Sequence, residues 1–523
     1  MITTDLPRFS LDDSGGQSRT FPTGRPALLC FVKEDCPTSG LSMPLIEAAS
    51  RAFGGDVDVW AIGQDAEGNA LLEERYNLTL PMLDDSALRV SFDYQLDTVP
   101  AIILADGSGA ELHRFVGFGK QDWQDLIADL TRRTGLAAPT VDWDSYPESR
   151  PGCGSRSVEP DIAWRLAAEA SGSPLRARRL EIPDSVDPVE FLFEQGLTDG
   201  LPVVPPTPER VLRMLAGTSR DPQQVVAVVA PNMAPAAVEK IAINAVMAGC
   251  KPEYLPVVIA AVEAICTSEF NIHGVLATTH FPTPVIIVNG PIRNRIGMNY
   301  QINALGQGNR ANASIGRAVQ LVVRNVGGGR PGDVDRAVLG QPGKYTFCFA
   351  EFEERSNWEP LHVERGFRPE DSTVTVFAGG APTGFVDQLS RDAASLATSY
   401  GLVLAAVGHP KQYGTGDVFV IVPPEHVDTF AKDGWTKEQI RGQIQRASLR
   451  PVRDLARDES CAEGLPREAV ERLGSDTLLP KFRSPENIHI VVAGGPGGKF
   501  GVYIQGWASG PIGSMPVTRK IDE

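Results

Sequence analysis

The chain has 523 residues, 42% of them hydrophobic and 22% charged; this length predicts two or three domains, and the composition is that of an ordinary globular protein. With 65 acidic against 49 basic residues the net charge is −16, which argues against nucleic acid or an anionic membrane as a partner. The opening Met1-Ile-Thr-Thr-Asp-Leu-Pro-Arg8 has no basic-then-apolar leader, Leu255–Ile265 is too short to span a bilayer and contains Glu263, and seven scattered cysteines make no disulfide framework, so a reducing cytoplasm is the expected compartment.

Residues 1–20, rich in Ser, Asp, Gly and Thr, read as a loose leader. From 21 to 136 strands and helices alternate. Strands are expected near Ala27–Val32, Val57–Gly63, Ala101–Asp106 and Glu111–Gly117, and helices near Leu41–Phe53, Ala66–Tyr76 and Gln121–Arg132. Residues 137–190 form a Pro/Gly/Ser-rich connector with a short helical run at Ile162–Ala170. From 191 to 523, strand-like segments (Val225–Val229, Val285–Val288, Thr373–Phe377, Val418–Val422, Ile488–Ala493) alternate with helical ones (Ala236–Ala248, Pro256–Cys266, Ala313–Val323). The whole therefore reads as α/β, the second part with a mixed or parallel sheet, and a boundary is marked near Gly366–Asp371.

Cys36 is the leading candidate for chemistry. It ends the strand-and-turn run Pro26–Asp35 and precedes a helical pattern, where unpaired backbone N–H groups and the positive helix end favour thiolate. The position three residues on is Ser39, so a partner sulfur has to come from elsewhere. Cys30, inside an apolar strand, reads as filler. Cys153, in Arg150-Pro-Gly-Cys153-Gly-Ser-Arg156, is flanked by glycines that suggest a mobile, accessible thiol, with two arginines to favour thiolate; it is the expected resolving partner. Cys250 falls between Gly249 and Lys251-Pro252 in a helix–helix turn, where Lys251 and the next helix are expected to lower its pKa.

His273 and His280 lie on one short segment before a strand, and His362 follows Trp358-Glu-Pro-Leu361. Their spacing fits no metal signature, and neither a metal nor a cofactor is expected; His280 and His362 read as acid–base groups and His273 as a substrate contact. The run Gly306–Arg317 leads into a helix as anion sites do, with Arg310 as a bidentate donor and Asn312 beside it. Lys344 and Glu351, either side of Cys348, complete the candidate substrate contacts. Ala493-Gly-Gly-Pro-Gly-Gly-Lys499 lacks the spacing of a phosphate loop.

With Thr98-Val-Pro100-Ala opening a strand, residues 21–136 resemble the thioredoxin-like fold, nearest its thiol-oxidoreductase and peroxiredoxin-type branches. That resemblance implies a cis Pro100 packed against Cys36 and a thiol reductant or thioredoxin system as partner. The motifs Thr198–Thr207, Met247–Pro256, Gly343–Cys348, Trp358–Phe367 and Val491–Pro496 are similar to a bacterial family associated with UGSC-type (seleno)proteins. Cys153-Gly-Ser-Arg156 is similar to its naming motif, with arginine in last place. This implies thiol or selenol chemistry on a small organic substrate. The expected function is a thiol-dependent oxidoreductase in which the first module relays redox equivalents to or from the second; a cysteine-dependent lyase or hydrolase, and a non-enzymatic binding protein, are the alternatives. Assembly into a homo-oligomer is left open.

Overall fold

In the computed structural model, which describes residues 5–170, 172–510 and 512–522, the chain divides into two compact units, Met1–Leu180 and Glu181–Glu523.

The first unit begins with a hairpin, β1 (Phe9–Asp12) and β2 (Ser18–Phe21). There follow β3 (Ala27–Val32), α1 (Pro37–Phe53), β4 (Asp58–Gly63), α2 (Ala66–Tyr76), β5 (Met82–Asp84), α3 (Arg89–Asp93), β6 (Thr98–Val99), β7 (Ala101–Ala105), β8 (Glu111–Val116), β9 (Phe118–Gly119) and α4 (Lys120–Thr134). The main sheet runs β5-β4-β3-β7-β8, with β3 parallel to β4 and antiparallel to β7. This is the thioredoxin-like arrangement, and Val99–Pro100 is cis.

Central β3 explains the layering. Because strand side chains alternate, Leu28, Cys30 and Val32 face one side while Ala27, Leu29 and Phe31 face the other, all fully buried. The first face is covered by Met43, Ile46 and Phe53 of α1 with Trp123 and Leu130 of α4. The second is covered by Val90 of α3 and by Leu6, Phe9 and Phe21. Residues expected to be a loose leader are thus part of the core: Phe9 stacks on Phe21 at 5.5 Å and meets Trp60 edge-on. The first four residues of that expected leader lie outside the described residues.

The connector also folds. Beyond α4, β10 (Ser149–Arg150) pairs with β9, β11 (Cys153–Gly154) pairs antiparallel with β6, and α5 spans Pro160–Ala170. An extended chain docks here because Gly117, at φ 75°, and Gly152 let backbones approach: an added Cβ would stand 2.9 Å from the Arg150 carbonyl oxygen and 2.5 Å from that of Val99, respectively.

The second unit contains α6 (Pro188–Glu194), α7 (Pro208–Leu215), β12 (Val225–Val229), β13 (Ala234–Ala237), α8 (Val238–Ala248), α9 (Leu255–Ile265), α10 (Ile272–Ala277), β14 (Thr283–Asn289), α11 (Ile292–Arg295), α12 (Arg310–Asn325), β15 (Cys348–Ala350), α13 (Leu361–Glu364) and β16 (Thr373–Val386). It continues with α14 (Ala393–Leu404), β17 (Val418–Val422), α15 (Pro424–Lys432), α16 (Lys437–Ala447), β18 (Arg450–Pro451), α17 (Arg467–Leu473), β19 (Leu478–Leu479), β20 (Ile488–Val492), β21 (Phe500–Gly506) and β22 (Val517–Lys520). Its sheet is mixed, in the order β15-β14-β16-β21-β17-β20, with β22 also pairing β16; β14/β15 and β17/β20 are its parallel pairs. Helices α14, α15 and α16 cover one face through Tyr400, Phe430 and Ile444. The expected boundary near 366–371 is absent, since β14 before it and β16 after it are hydrogen-bonded neighbours from Thr283↔Gly379 to Asn289↔Thr373. No helix among the described residues is long and apolar enough to cross a membrane.

Candidate functional site

Cys36 is the N-cap of α1: its backbone is extended and its sulfur accepts the Ser39 amide at 3.4 Å. Pro37 opens the helix, where a missing N–H costs nothing. Ser39, standing where a second cysteine of a Cys-x-x-Cys pair would be, accepts the Lys33 amide at 3.2 Å and so braces the turn. On the other side the Cys36 sulfur lies 3.5 Å from the carbonyl of Val99, the residue before cis Pro100.

Across β6, Cys153 is the register partner of Val99, and its side chain lies close enough to that of Cys36 for each thiol to shift the other's pKa. Burial pushes the Cys36 thiol up, but the hydrogen bonds from Cys153, the Ser39 amide and hydroxyl and the Thr38 amide together outweigh it and hold Cys36 below its ordinary value. Cys153 is pushed up, first by its hydrogen bond to Cys36 and then by burial, against a smaller opposing pull from Lys33. Of the two thiols Cys36 is therefore the more readily ionised and Cys153 the less. Exposure is distributed the other way: Cys36 is 1% exposed, whereas Cys153 is partly open to solvent.

The segment carrying Cys153 is anchored on both sides. Thr38 Oγ1 donates to the Pro151 carbonyl at 2.7 Å and Lys33 Nζ to that of Gly154 at 3.3 Å. Buried Gln64 donates to Ser155 Oγ at 2.8 Å and accepts the Arg156 amide at 3.0 Å. Arg156 pairs with Asp65 at 2.6 Å. Two expectations are corrected here. Of the flanking glycines, Gly152 serves close docking, and Arg156 is committed to Asp65 while Cys153 is raised, not lowered. Sequence reading also passed over Lys33, Thr38, Gln64 and Asp65; a polar residue inside an otherwise apolar strand-and-loop region, as at Gln64, was the available signal.

In the larger unit the expected residues fall in several places. Cys250, expected to be lowered, is pushed up to about 12 by burial despite Ser314 and Arg310 nearby, because an ion there would lose its water. Cys348 is wholly buried and likewise raised. His362, expected as an acid–base group, is fully buried, its Nε2 3.4 Å from the Pro369 carbonyl. Glu351 is fully buried too, accepting from Asn289 Nδ2 at 2.6 Å and the Leu361 amide at 2.8 Å; burial raises its pKa. Asn312 is a brace, donating to the Asn299 and Ala304 carbonyls and accepting the Asn299 amide. Lys344 is paired with Asp335 at 2.9 Å.

Glu351, Asn312 and Lys344 are thus committed to partners within the fold. His280 is half-buried against Phe281, which lowers its pKa, and His273 is exposed on α10. In the loop after β20 the Lys499 amide donates to the Glu425 carboxylate at 2.9 Å. Arg310 remains, at the start of α12, sharing a cavity with Cys250, Lys251 and the unforeseen Arg210 and Arg213. Among the described residues no group of three or more His, Cys, Asp or Glu side chains is placed to hold a metal.

No protein-family model matches the chain, and no curated protein sequence matches it. Among solved structures it is similar to the thioredoxin domain of a thiol-disulfide oxidoreductase from Bacteroides vulgatus, at 17% identity and a TM-score of 0.23, covering 25% of this chain and 97% of that one. It is also similar to StoA from Bacillus subtilis (18% identity, TM-score 0.22, 24% of this chain and 96% of that one). A third is a secreted Mycobacterium tuberculosis disulfide oxidoreductase (18%, 0.21, 24% and 95%).

Proposed function

We propose that the chain is a thiol–disulfide oxidoreductase whose working pair is Cys36 and Cys153, 117 positions apart, which relays redox equivalents to or from a larger unit that binds a small organic substrate. The observation that carries this reading is the register of β11 on β6, which sets Cys153 against Val99, the residue whose carbonyl lies 3.5 Å from the Cys36 sulfur.

Exposure and charge together assign the steps. In the oxidised pair an external thiolate meets the accessible Cys153 sulfur. A bond forms from the incoming sulfur to Cys153, the Cys36–Cys153 bond breaks, and its electron pair leaves on Cys36. Cys36 is the better leaving group because its thiolate is the stabilised one. A second substrate thiolate then attacks the first substrate sulfur, forms the substrate disulfide and expels Cys153, which takes up a proton. Two substrate thiols are oxidised to one disulfide and the protein disulfide is reduced to two thiols. The reverse sequence, driven by a thiol reductant, reduces a disulfide through the same intermediate. These roles exchange those suggested by sequence, where Cys36 attacks and Cys153 resolves. The resemblance of the second half to the UGSC-associated family supports thiol chemistry as the common theme of the two units.

The test uses the full chain. Mild oxidation with diamide followed by peptide mapping is expected to give the Cys36–Cys153 disulfide. Treatment of that oxidised chain with one equivalent of an aromatic thiolate is expected to leave the adduct on Cys153. Absence of the disulfide, or an adduct found on Cys36, would overturn the proposal.

A further inference from the structure

In the larger unit a cavity of about 310 Å³ opens between α7, the Gly249–Pro252 turn and the start of α12. Arg210 and Arg213, one turn apart on α7, face Lys251 and Arg310 across it, and no carboxylate lines it. In a chain with net charge −16, four cations on one small cavity without an acid among them repel one another, and a bound anion relieves that repulsion.

The heads are positioned for such a ligand. On α7 the apolar residues Val211, Met214 and Leu215 are buried, which turns Arg210 and Arg213 outward from the packed face. Arg210 Nη1 donates to the Pro205 carbonyl at 2.8 Å, and Arg310 Nε donates to the Gly249 carbonyl at 2.9 Å. Gly249 ends α8 at φ 85°, a left-handed turn that sets its carbonyl where Arg310 can reach it. Each contact uses one donor and leaves the rest of the guanidinium fork unspent. Met214 and the buried Cys250 add a less polar wall. A volume of this size admits a small molecule and not a polymer.

We infer that this cavity binds a small oxyanion-bearing metabolite, its carboxylate or phosphate group held by Arg210, Arg213, Lys251 and Arg310 and its less polar end against Met214 and Cys250. This gives the larger unit a ligand class and stands whether or not Cys36 and Cys153 exchange disulfides.

The full chain is titrated calorimetrically with inorganic phosphate and with citrate, at ionic strength held constant with chloride. Saturable binding of at least one probe is expected; tighter phosphate assigns a phosphate group to the natural ligand, and tighter citrate a carboxylate. The Arg213→Gln/Arg310→Gln double variant is expected to bind at least tenfold more weakly, since two charge-assisted contacts are lost. Exposed Lys251→Gln, read in parallel, supplies a variant with little effect on folding and is expected to weaken binding severalfold. Cys36→Ser is expected to bind like the parent. No saturable heat from either probe, or parental affinity in both charge variants, overturns the inference.

Discussion

Replacing Cys153 by alanine removes the donor that stabilises the Cys36 anion. Hydrogen bonds to charged groups contribute about 1.5–3 kcal/mol, and a thiol is a weak donor, so the low end applies. About 1.4 kcal/mol is a tenfold change in an acid dissociation constant. At fixed neutral pH the thiolate-to-thiol ratio of Cys36 is therefore expected to fall roughly tenfold in Cys153→Ala. Cys153→Ser separates this electrostatic role from the redox one, because a serine hydroxyl still donates but forms no disulfide; its Cys36 titration is expected to stay near the parental one. The assay is the pH dependence of the ultraviolet thiolate absorbance, with the Cys36→Ser spectrum subtracted. Sulfur access does not enter this readout, which matters because Cys36 is only 1% exposed. An unchanged midpoint in Cys153→Ala, or equal upward displacement in alanine and serine variants, would refute the reasoning.

Three further outcomes follow from the same structure. Gly152→Ala places a Cβ 2.5 Å from both the Val99 carbonyl oxygen and Thr98 Cγ2, so β11 is expected to be forced off β6; formation of the Cys36–Cys153 disulfide under diamide, followed by mass spectrometry, should slow although both cysteines remain. Arg293, 3% exposed and paired with Glu353 and Glu354 at 3.1 and 2.8 Å, leaves the part-buried Glu353 carboxylate short of a partner when changed to methionine, while half-exposed Glu354 turns to water, so Arg293→Met is expected to cost about 1–3 kcal/mol in urea unfolding.

Lys481 is fully buried, with Nζ donating to the His409 and Gln412 carbonyls, and burial lowers its pKa from 10.5 to about 8. Between those values the unfolded chain binds a proton that the folded one does not, so this group makes stability rise as pH climbs from about 8 toward 10.5. Measured as the difference between the parent and Lys481→Met, which cancels other titrations, the parent is expected to gain on the variant across that window. A flat difference would count against it.

Local pattern was enough to find most elements. Continuous apolar runs gave β3, β4, β7 and β17, and Ala66–Tyr76 falls where an Asp65 cap and an Asn77 stop put it. The helix after Cys36 was legible too, though it starts at Pro37, earlier than its apolar spacing implies, because an N-cap and a first-turn proline leave no hydrophobic mark. Missed entirely were β21 and β22, whose half-exposed residues carry no strong period, and the N-terminal hairpin, where only Phe9 and Phe21 in a polar stretch reveal burial.

Residue type and order alone therefore determined that Cys36 would sit at a helix start with no partner at position 39, since both are statements about neighbours along the chain. Cys153 was already the expected resolving partner, but how its segment comes to lie along β6 was decided only by the tertiary structure: it depends on an antiparallel register between two two-residue strands, made possible by a missing Cβ at Gly152. The same holds for Cys250, where adjacency to Lys251 suggested a lowered pKa but burial raised it, because desolvation is a property of everything packed around a group. The four cations of the cavity come from three separate segments, so only folding could bring them together.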